Sequence, residues 1–219
     1  MKMNMLATGV YAKTHGLSLS SGIPEERMRA VNGCKRNIDY AASMGCGIII
    51  GFLKGGPGSD REVSERLFLE SMLELKPYIE EKKVQVLIEA TNHKEASIIR
   101  TLKEGAHVIN FLDCPFIQLL ADTYHMNIEE PSLVDSLSEY MNYYPHLHIS
   151  DDNRAYPGLG SLDFTAIYRK LMECGYKGTV AVEGNIQHGL LEDTQICAAY
   201  LHKMCSGLHT PSRVPSHAV

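Results

Sequence analysis

Four residues that can bind a metal ion or transfer protons stand at the ends of four short apolar segments. Glu89 closes "VQVLIE", Asp122 closes "IQLLAD", His148 lies late in "HLHIS", and Glu183 closes "TVAVE". A single acid or histidine in such a position is usually a helix cap, a solvated residue or a hydrogen-bonded core residue. Four in succession indicate a shared site, because ligands bind at the carboxyl ends of the strands in parallel α/β folds.

Three carboxylates cannot converge in a buried site without a positive partner, because burial and mutual repulsion raise their pKa values. A divalent cation supplies the missing charge. Three oxygen ligands and one imidazole suit Mn²⁺, Mg²⁺ or Co²⁺ better than a structural zinc site, which favours thiolates. The sequence therefore predicts one divalent ion, with Mn²⁺ preferred and Mg²⁺ or Co²⁺ as alternatives, bound by Glu89, Asp122, His148 and Glu183.

Six apolar segments of strand length recur along the chain and alternate with amphipathic stretches of helical spacing. The predicted strands are residues 5–10, 47–52, 84–89, 117–122, 146–150 and 179–183. Strand and helix in turn, at intervals of roughly 30 to 40 residues, are typical of a parallel α/β sheet. Near-continuous apolar strands such as "GIIIGF" fit burial on both faces. No glycine-rich phosphate loop follows the first strand, which disfavours a dinucleotide-binding protein.

The composition is that of an ordinary globular protein, since 44% of the 219 residues are hydrophobic and 21% are charged. A net charge of −5 with scattered Lys and Arg argues against nucleic-acid binding. Neither a signal peptide nor a membrane span is predicted. The six cysteines form no CxxC pair, and we interpret them as reduced thiols of a cytoplasmic protein. We predict one domain over residues 1–205 and a flexible tail over residues 206–219.

Two long motifs carry a resemblance to a known family. They are "DTYHMNIEE" at 122–130 and "HLHISDDNRAYPGLGSLDF" at 146–164, supported by "GYKGTVAVEG" at 175–184 and "GLSLSSGIPEERMRA" at 16–30. In these segments the chain resembles the xylose isomerase-like superfamily of sugar isomerases and epimerases, which are TIM barrels. Within it, the chain is similar to the ketose 3-epimerases of D-tagatose and D-psicose and to the L-ribulose-5-phosphate 3-epimerases. The resemblance covers the chain to about Leu201.

The resemblance implies roles for residues at matching positions, and it selects the same four metal ligands. It also implies that His125 of "DTYHMN" and Arg154 of "DDNR" hold substrate oxygens. Glu95 falls where many members place a substrate-contacting glutamate. Members commonly have Asn-Arg after the first ligand, whereas this chain has Asn92-His93.

The number of strands departs from the family pattern. A TIM barrel has eight strands, and this sequence shows six. The segment "LATGVYAKTHGLSLS" corresponds to the third unit of the family, so we predict an incomplete TIM-barrel α/β fold of six βα units that lacks the first two. An open sheet leaves two unpaired edge strands, and exposed edges favour association. We therefore expect a homo-oligomer.

The activity that the resemblance implies is 3-epimerisation of a ketose or ketose phosphate through an enediolate. The proton on C3 becomes acidic only when the C2 carbonyl is polarised, which a divalent ion achieves as a Lewis acid. Glu89 and Glu183, on opposite faces of the sugar, are the expected catalytic acid–base pair.

Other functions remain open on the sequence alone. An aldose–ketose isomerase of the same superfamily uses a similar enediolate, and a shortened barrel could be a non-catalytic remnant. The single set of four ligands and the net negative charge disfavour an endonuclease IV-like hydrolase, which has several zinc ions and a DNA-binding face. We expect a small sugar or sugar phosphate as the partner, with no nucleic acid and no membrane.

Overall fold

Each apolar segment predicted as a strand forms one strand of a single parallel sheet. The computed structural model of the protein describes residues 3–208. Its six strands lie in chain order, each hydrogen-bonded to the next. They are β1 (Met5–Ala7), β2 (Gly47–Ile50), β3 (Val86–Glu89), β4 (Ile117–Asp122), β5 (His146–Ile149) and β6 (Thr179–Val182). This arrangement, a curled part of a barrel, confirms the predicted parallel α/β fold.

Helices connect the strands, and their ends follow local capping signals. Asp60, Ser132 and Asp163 each accept a backbone N–H at a helix start, and Gly45 ends a helix in the left-handed conformation. The helices are α1 (Gly9–His15), α2 (Pro24–Met44), α3 (Arg61–Lys82), α4 (Leu102–Leu112), α5 (Thr123–Glu129), α6 (Leu133–Glu139), α7 (Phe164–Glu173) and α8 (Leu190–Leu208).

Most observed strands are shorter than predicted, and the largest differences lie at the first strand and at the C-terminal tail. The first strand, predicted over 5–10, ends at Ala7, and α1 begins at Gly9. The strand ends early because Thr8 has a right-handed helical conformation, with φ −92° and ψ −1°, and its hydroxyl donates to the carbonyl of Ile49 at 2.7 Å. At the other end, α8 extends to Leu208, so residues 206–208 of the predicted tail are helical. Residues 209–219 lie outside the described part of the chain.

The main apolar core lies between the outer face of the sheet and the helices, where it includes Ile48, Ile50, Phe68 and Met72. A smaller cluster on the inner face joins Ile49, Leu87 and Leu120, with Met5 packed against it. Because side chains alternate along a strand, the residues two positions beyond Leu87 and Leu120 also point inward. Those residues are Glu89 and Asp122. The alternation that builds the core therefore directs two of the four candidate ligands to the inside of the sheet.

The strands differ in burial according to their place in the sheet. Every residue of β2, β3 and β5 is buried, but the edge strand β6 is largely exposed. Within β6, Val180 is 37% exposed and Val182 is 41% exposed. In the described residues, no helix is both long enough and apolar enough to cross a bilayer.

Candidate metal centre

The four predicted ligands meet at the carboxyl ends of the strands. Each offers one ligand atom, and these atoms all lie within 4.8 Å of one another. The Nδ1 atom of His148 is 2.9 Å from Oε2 of Glu183, 3.6 Å from Oε1 of Glu89 and 3.9 Å from Oδ2 of Asp122. Ligands at 2.0–2.2 Å from one ion are themselves about 3 to 4 Å apart. The distances from Nδ1 of His148 to the other three ligand atoms are therefore those expected around a single ion.

The sheet and a helix start fix Asp122 in place. Its Cα is the register partner of the His148 Cα on the adjacent strand. One carboxylate oxygen, Oδ1, accepts the backbone N–H groups of Tyr124 at 2.8 Å and His125 at 3.2 Å, which caps α5. The other oxygen, Oδ2, faces His148. Asp122 is thus both a helix cap and a candidate ligand.

The surroundings of Glu89 fit a bound cation. Its Oε1 atom is buried and has no hydrogen-bond partner, which is costly for a carboxylate oxygen unless something positive binds it. Its Oε2 atom lies against Gly51, where an added Cβ would be only 2.4 Å away. A side chain at position 51 would therefore displace the carboxylate. Together with the oxygen-rich ligand set, these contacts show that the four residues could hold a divalent ion.

Burial and neighbouring charges shift the pKa values of Asp122, His148 and Glu183. Burial raises the pKa of Asp122 to about 8, and repulsion from Glu89 adds to this effect. Burial opposes a charge on His148, but the hydrogen bond to Glu183 and the nearby carboxylate of Glu89 outweigh it and raise its pKa to about 10. Burial also disfavours the carboxylate of Glu183, yet the hydrogen bond from His148 and the positive charge of Arg154 lower its pKa to about 2. Without an ion, Asp122 and His148 are therefore protonated near neutral pH.

Metal binding must displace both of those protons, because the ligand forms are the Asp122 carboxylate and the neutral His148 ring. We expect release of up to about two protons per ion near pH 7, with affinity for Mn²⁺ rising roughly 10- to 100-fold per pH unit up to about pH 8. Above that pH, Asp122 is already ionised, so the dependence weakens. Calorimetric titration in buffers of different ionisation enthalpy measures the protons released. Binding that releases none and does not change with pH would contradict these protonation states.

His125 and Arg154, the predicted substrate contacts, lie beside the four ligands. The Arg154 guanidinium is 3.5 Å from Oδ2 of Asp122, 3.3 Å from Oε2 of Glu183 and 2.9 Å from Nε2 of His125. It also stacks over the ring of Tyr124, 4.8 Å from the centroid. Burial and, to a smaller extent, the charge of Arg154 lower the pKa of His125 to about 2, so the ring is neutral. The backbone of Arg154 has a φ of 63°, a strained conformation of the kind found at functional sites.

A cleft of about 600 Å³ opens next to Arg154. Glu95, the third predicted substrate contact, is in its wall together with Arg154, and Arg154 in turn contacts Asp122 and Glu183. Three cations and two aromatic rings are among the lining residues, which are Lys13, Phe52, Pro57, Lys94, Glu95, Tyr124, Asn153, Arg154 and Asn185.

The sequence reasoning gave no role to two buried residues near the centre. Lys54 follows β2 and is fully buried; its ammonium donates to the hydroxyl of Thr91. Burial lowers its pKa to about 8, although the carboxylates of Glu89 and Glu95 oppose this shift. Asn92 is also fully buried and contacts His125. A lysine within a few residues of the end of a fully apolar strand was the available signal for Lys54.

The fold and the site place the chain in a known family. Residues 2–199 match the xylose isomerase-like TIM barrel family, and the chain belongs to it. Among curated relatives, 3-dehydro-D-guloside 4-epimerase of Escherichia coli is 37% identical over 102 residues, covering 47% of this chain and 39% of that protein. D-psicose 3-epimerase of Enterocloster bolteae is 27% identical over 191 residues, covering 84% of this chain and 64% of that protein. The chain thus spans less than two thirds of the length of either relative.

Solved structures share the fold. The apo crystal structure of 3-keto-D-glucoside 4-epimerase from E. coli superposes with a TM-score of 0.81 at 23% sequence identity, covering 94% of this chain and 80% of that one. At this identity the likeness concerns the fold alone. It confirms the TIM-barrel character of the six-stranded sheet.

Proposed function

We propose that the protein is a metal-dependent sugar epimerase that inverts a carbon next to a ketone, in the first instance C3 of a 2-ketose. The observation that carries this proposal is the convergence of three carboxylates and one imidazole within 4.8 Å, beside two further groups that can hold a sugar oxygen. The relatives agree with this chemistry, because one is named a D-psicose 3-epimerase and another a 3-dehydro-D-guloside 4-epimerase. Both names describe inversion at a carbon adjacent to a ketone.

Glu89, Asp122, His148 and Glu183 would hold the ion. Mn²⁺ is the first choice and Mg²⁺ or Co²⁺ the alternatives, because oxygen ligands outnumber the single imidazole. When bound, such an ion supplies Lewis-acid polarisation of the ketone, which makes the neighbouring C–H acidic.

Glu89 and Glu183 are suited to move the proton. Glu89 ends β3 and Glu183 directly follows β6, with β4 and β5 between these strands, so we expect the two carboxylates to address opposite faces of a sugar. Glu183 is ionised, because its pKa is lowered to about 2, and its side chain is 40% exposed. One glutamate takes the proton from the carbon and the other returns a proton to the opposite face, with the roles exchanged in the reverse reaction.

Arg154 and His125 hold the oxygen on which negative charge develops. Arg154→Lys keeps the positive charge but loses the planar fork of donors, so we expect kcat/KM to fall about 100-fold. Affinity for Mn²⁺ should fall much less than kcat/KM, because Lys keeps a positive charge beside Asp122 and Glu183. Steady-state kinetics and a Mn²⁺ titration of the same preparation separate the two effects. Equal losses of metal affinity and activity would instead make Arg154 a structural support of the centre.

The substrate can be identified by following which carbon exchanges its proton. Ketopentoses, ketohexoses and their phosphates are incubated with the Mn²⁺-loaded protein in D₂O and examined by NMR. Deuterium at C3 with formation of the C3 epimer supports the proposal. Deuterium at C1 or C2 with formation of an aldose would indicate an aldose–ketose isomerase. Mn²⁺ binding without exchange in any sugar would favour a non-catalytic remnant of the barrel.

A second candidate is 4-epimerisation of a 3-keto glycoside. The 37% identity to 3-dehydro-D-guloside 4-epimerase favours it. The chemical requirement is the same, a proton removed next to a ketone, so the same residues would take the same roles. Including a 3-keto glucoside in the panel distinguishes the candidates, because deuterium would then enter at C4.

We also propose that two further βα units lie between β6 and β1 in the active enzyme, as eight-stranded closure requires. The exposed valines of β6 support this, as do Leu190 and Leu191 of α8, which are 62% and 73% exposed. Apolar side chains at a sheet edge are typical of a covered surface. If another copy of the chain covers them instead, the protein is the homo-oligomer expected from the sequence. Sedimentation of the wild type and of Val182→Lys distinguishes the oligomer from the additional βα units, since only an oligomer formed through β6 would dissociate in the variant.

A further inference from the structure

Asn92 directs two N–H donors at one ring nitrogen of His125. Its backbone nitrogen is 3.2 Å, and its side-chain Nδ2 is 2.8 Å, from Nδ1 of His125. The side-chain oxygen of Asn92 accepts the backbone N–H of Lys94 at 3.0 Å. That bond fixes the orientation of the amide, so that the NH₂ group faces the ring.

This pattern determines which nitrogen of the ring carries hydrogen. A backbone N–H can only donate, so Nδ1 of His125 must be the acceptor. A neutral imidazole has one hydrogen, which is then on Nε2. The Nε2 atom is 2.9 Å from Nη1 of Arg154, and a guanidinium has no acceptor. Two donors thus face each other with no acceptor between them, which is favourable only when an oxygen atom receives both.

We propose that Asn92 is a positioning residue that holds His125 in the neutral Nε2–H form, so that His125 and Arg154 present two donors to one ketone oxygen of the sugar. The nature of that oxygen rests on the proposed function. The hydrogen-bond pattern that selects the tautomer does not, because it involves only residues of this chain.

Two substitutions at position 92 distinguish positioning from simple packing. Asn92→Asp keeps the shape of the side chain and the bond to Lys94, but it places a carboxylate oxygen at Nδ1. A carboxylate only accepts, and a charge-assisted bond at the 2.8 Å position outweighs the longer bond from the backbone N–H at 3.2 Å. Nδ1 therefore gains the proton and Nε2 becomes an acceptor for Arg154, which takes both groups away from the substrate oxygen. Asn92→Ala removes one donor, but the backbone N–H continues to bond Nδ1 and preserves the tautomer. If Asn92 only packs against His125, Asn92→Ala should lose more activity than Asn92→Asp. If Asn92 positions the ring, Asn92→Asp should lose more.

The tautomer is read by ¹⁵N NMR of the histidine rings in metal-free protein, with His125→Gln used to assign the signal. We expect an unprotonated Nδ1 in the wild type and in Asn92→Ala, and a protonated Nδ1 in Asn92→Asp. In deuterium-exchange kinetics, kcat/KM should fall at least about 50-fold in Asn92→Asp and less than about 5-fold in Asn92→Ala, in the range typical of oxyanion donors. Asn110→Asp, at an exposed site that bonds Tyr143, is the matched control and should change neither readout.

Each of these measurements either supports or overturns the proposed role of Asn92 in holding the His125 tautomer. A protonated Nδ1 in the wild type, or an unchanged ring in Asn92→Asp, overturns it, and so does a greater loss of activity in Ala than in Asp. The NMR measurement needs no sugar, so it decides the tautomer even if the wild type exchanges no substrate. In that case the proposed function is contradicted, while the role of Asn92 toward His125 is still decided by the NMR measurement alone.

Discussion

Glu183→Gln and Glu89→Gln should each stop solvent deuterium from entering the epimerised carbon. An amide of the same shape cannot take a proton from carbon, so we expect the exchange rate to fall at least about 1000-fold, within the range of general acid–base catalysis. The loss should appear in kcat as well as in kcat/KM, because the group acts in the transition state. The measurement is the NMR-detected exchange of the ketose in D₂O at saturating Mn²⁺.

The control for this pair is Glu173→Gln, which removes an exposed glutamate at the end of α7, remote from the strand ends. It should exchange at the wild-type rate. Both site variants should remain folded, because the amide can occupy the same space and still offer one oxygen. Persistent exchange in both Glu89→Gln and Glu183→Gln would remove these residues from the chemistry.

Asp122→Asn should weaken Mn²⁺ binding by at least about 100-fold, since even outer-shell changes commonly cost 10- to 100-fold. The Asn oxygen can still cap α5, but the NH₂ group replaces the oxygen that faces His148 and the ion. Asp122 is already neutral in the metal-free protein at neutral pH, because its pKa is raised to about 8, so we expect the metal-free Asn variant to unfold at about the same temperature as the wild type. Addition of Mn²⁺ should then raise the melting temperature of the wild type only.

Asp163→Asn is the matched control for this substitution. Asp163 also caps a helix, with its carboxylate accepting the backbone N–H of Ala166 at 3.0 Å, but it is not one of the four candidate ligands. Equal Mn²⁺ affinity in the Asp122 and Asp163 variants would mean that Asp122 serves only as a cap.

The strands and the ligand set could be predicted because both depend on local pattern. Short apolar segments predict buried parallel strands, and the carboxyl ends of such strands must meet at one edge. The last residue of "IQLLAD" could therefore be placed near that of "VQVLIE" without coordinates. For Asp122, the sequence could not show that cap and ligand are the same residue, because the two oxygens take separate roles only in three dimensions.

The supporting contacts could not be predicted, because their partners are far apart in the chain. Asn92 and His125 are 33 residues apart, and Lys54 and Thr91 are 37 apart. Thr8, just after β1, makes a contact of the same kind, a hydrogen bond to a residue 41 positions away. Neither the hydrophobic periodicity nor a short sequence motif indicates such long-range pairs. They become visible only when the strands lie side by side.

The most direct test of the metal centre is anomalous X-ray diffraction from crystals saturated with Mn²⁺. We predict one strong anomalous peak per chain, about 2.0 to 2.3 Å from an oxygen of Glu89, Asp122 and Glu183 and from a ring nitrogen of His148. A saturated crystal with no peak among these four side chains, or with the ion bound elsewhere, would contradict the metal centre and the sugar chemistry built on it.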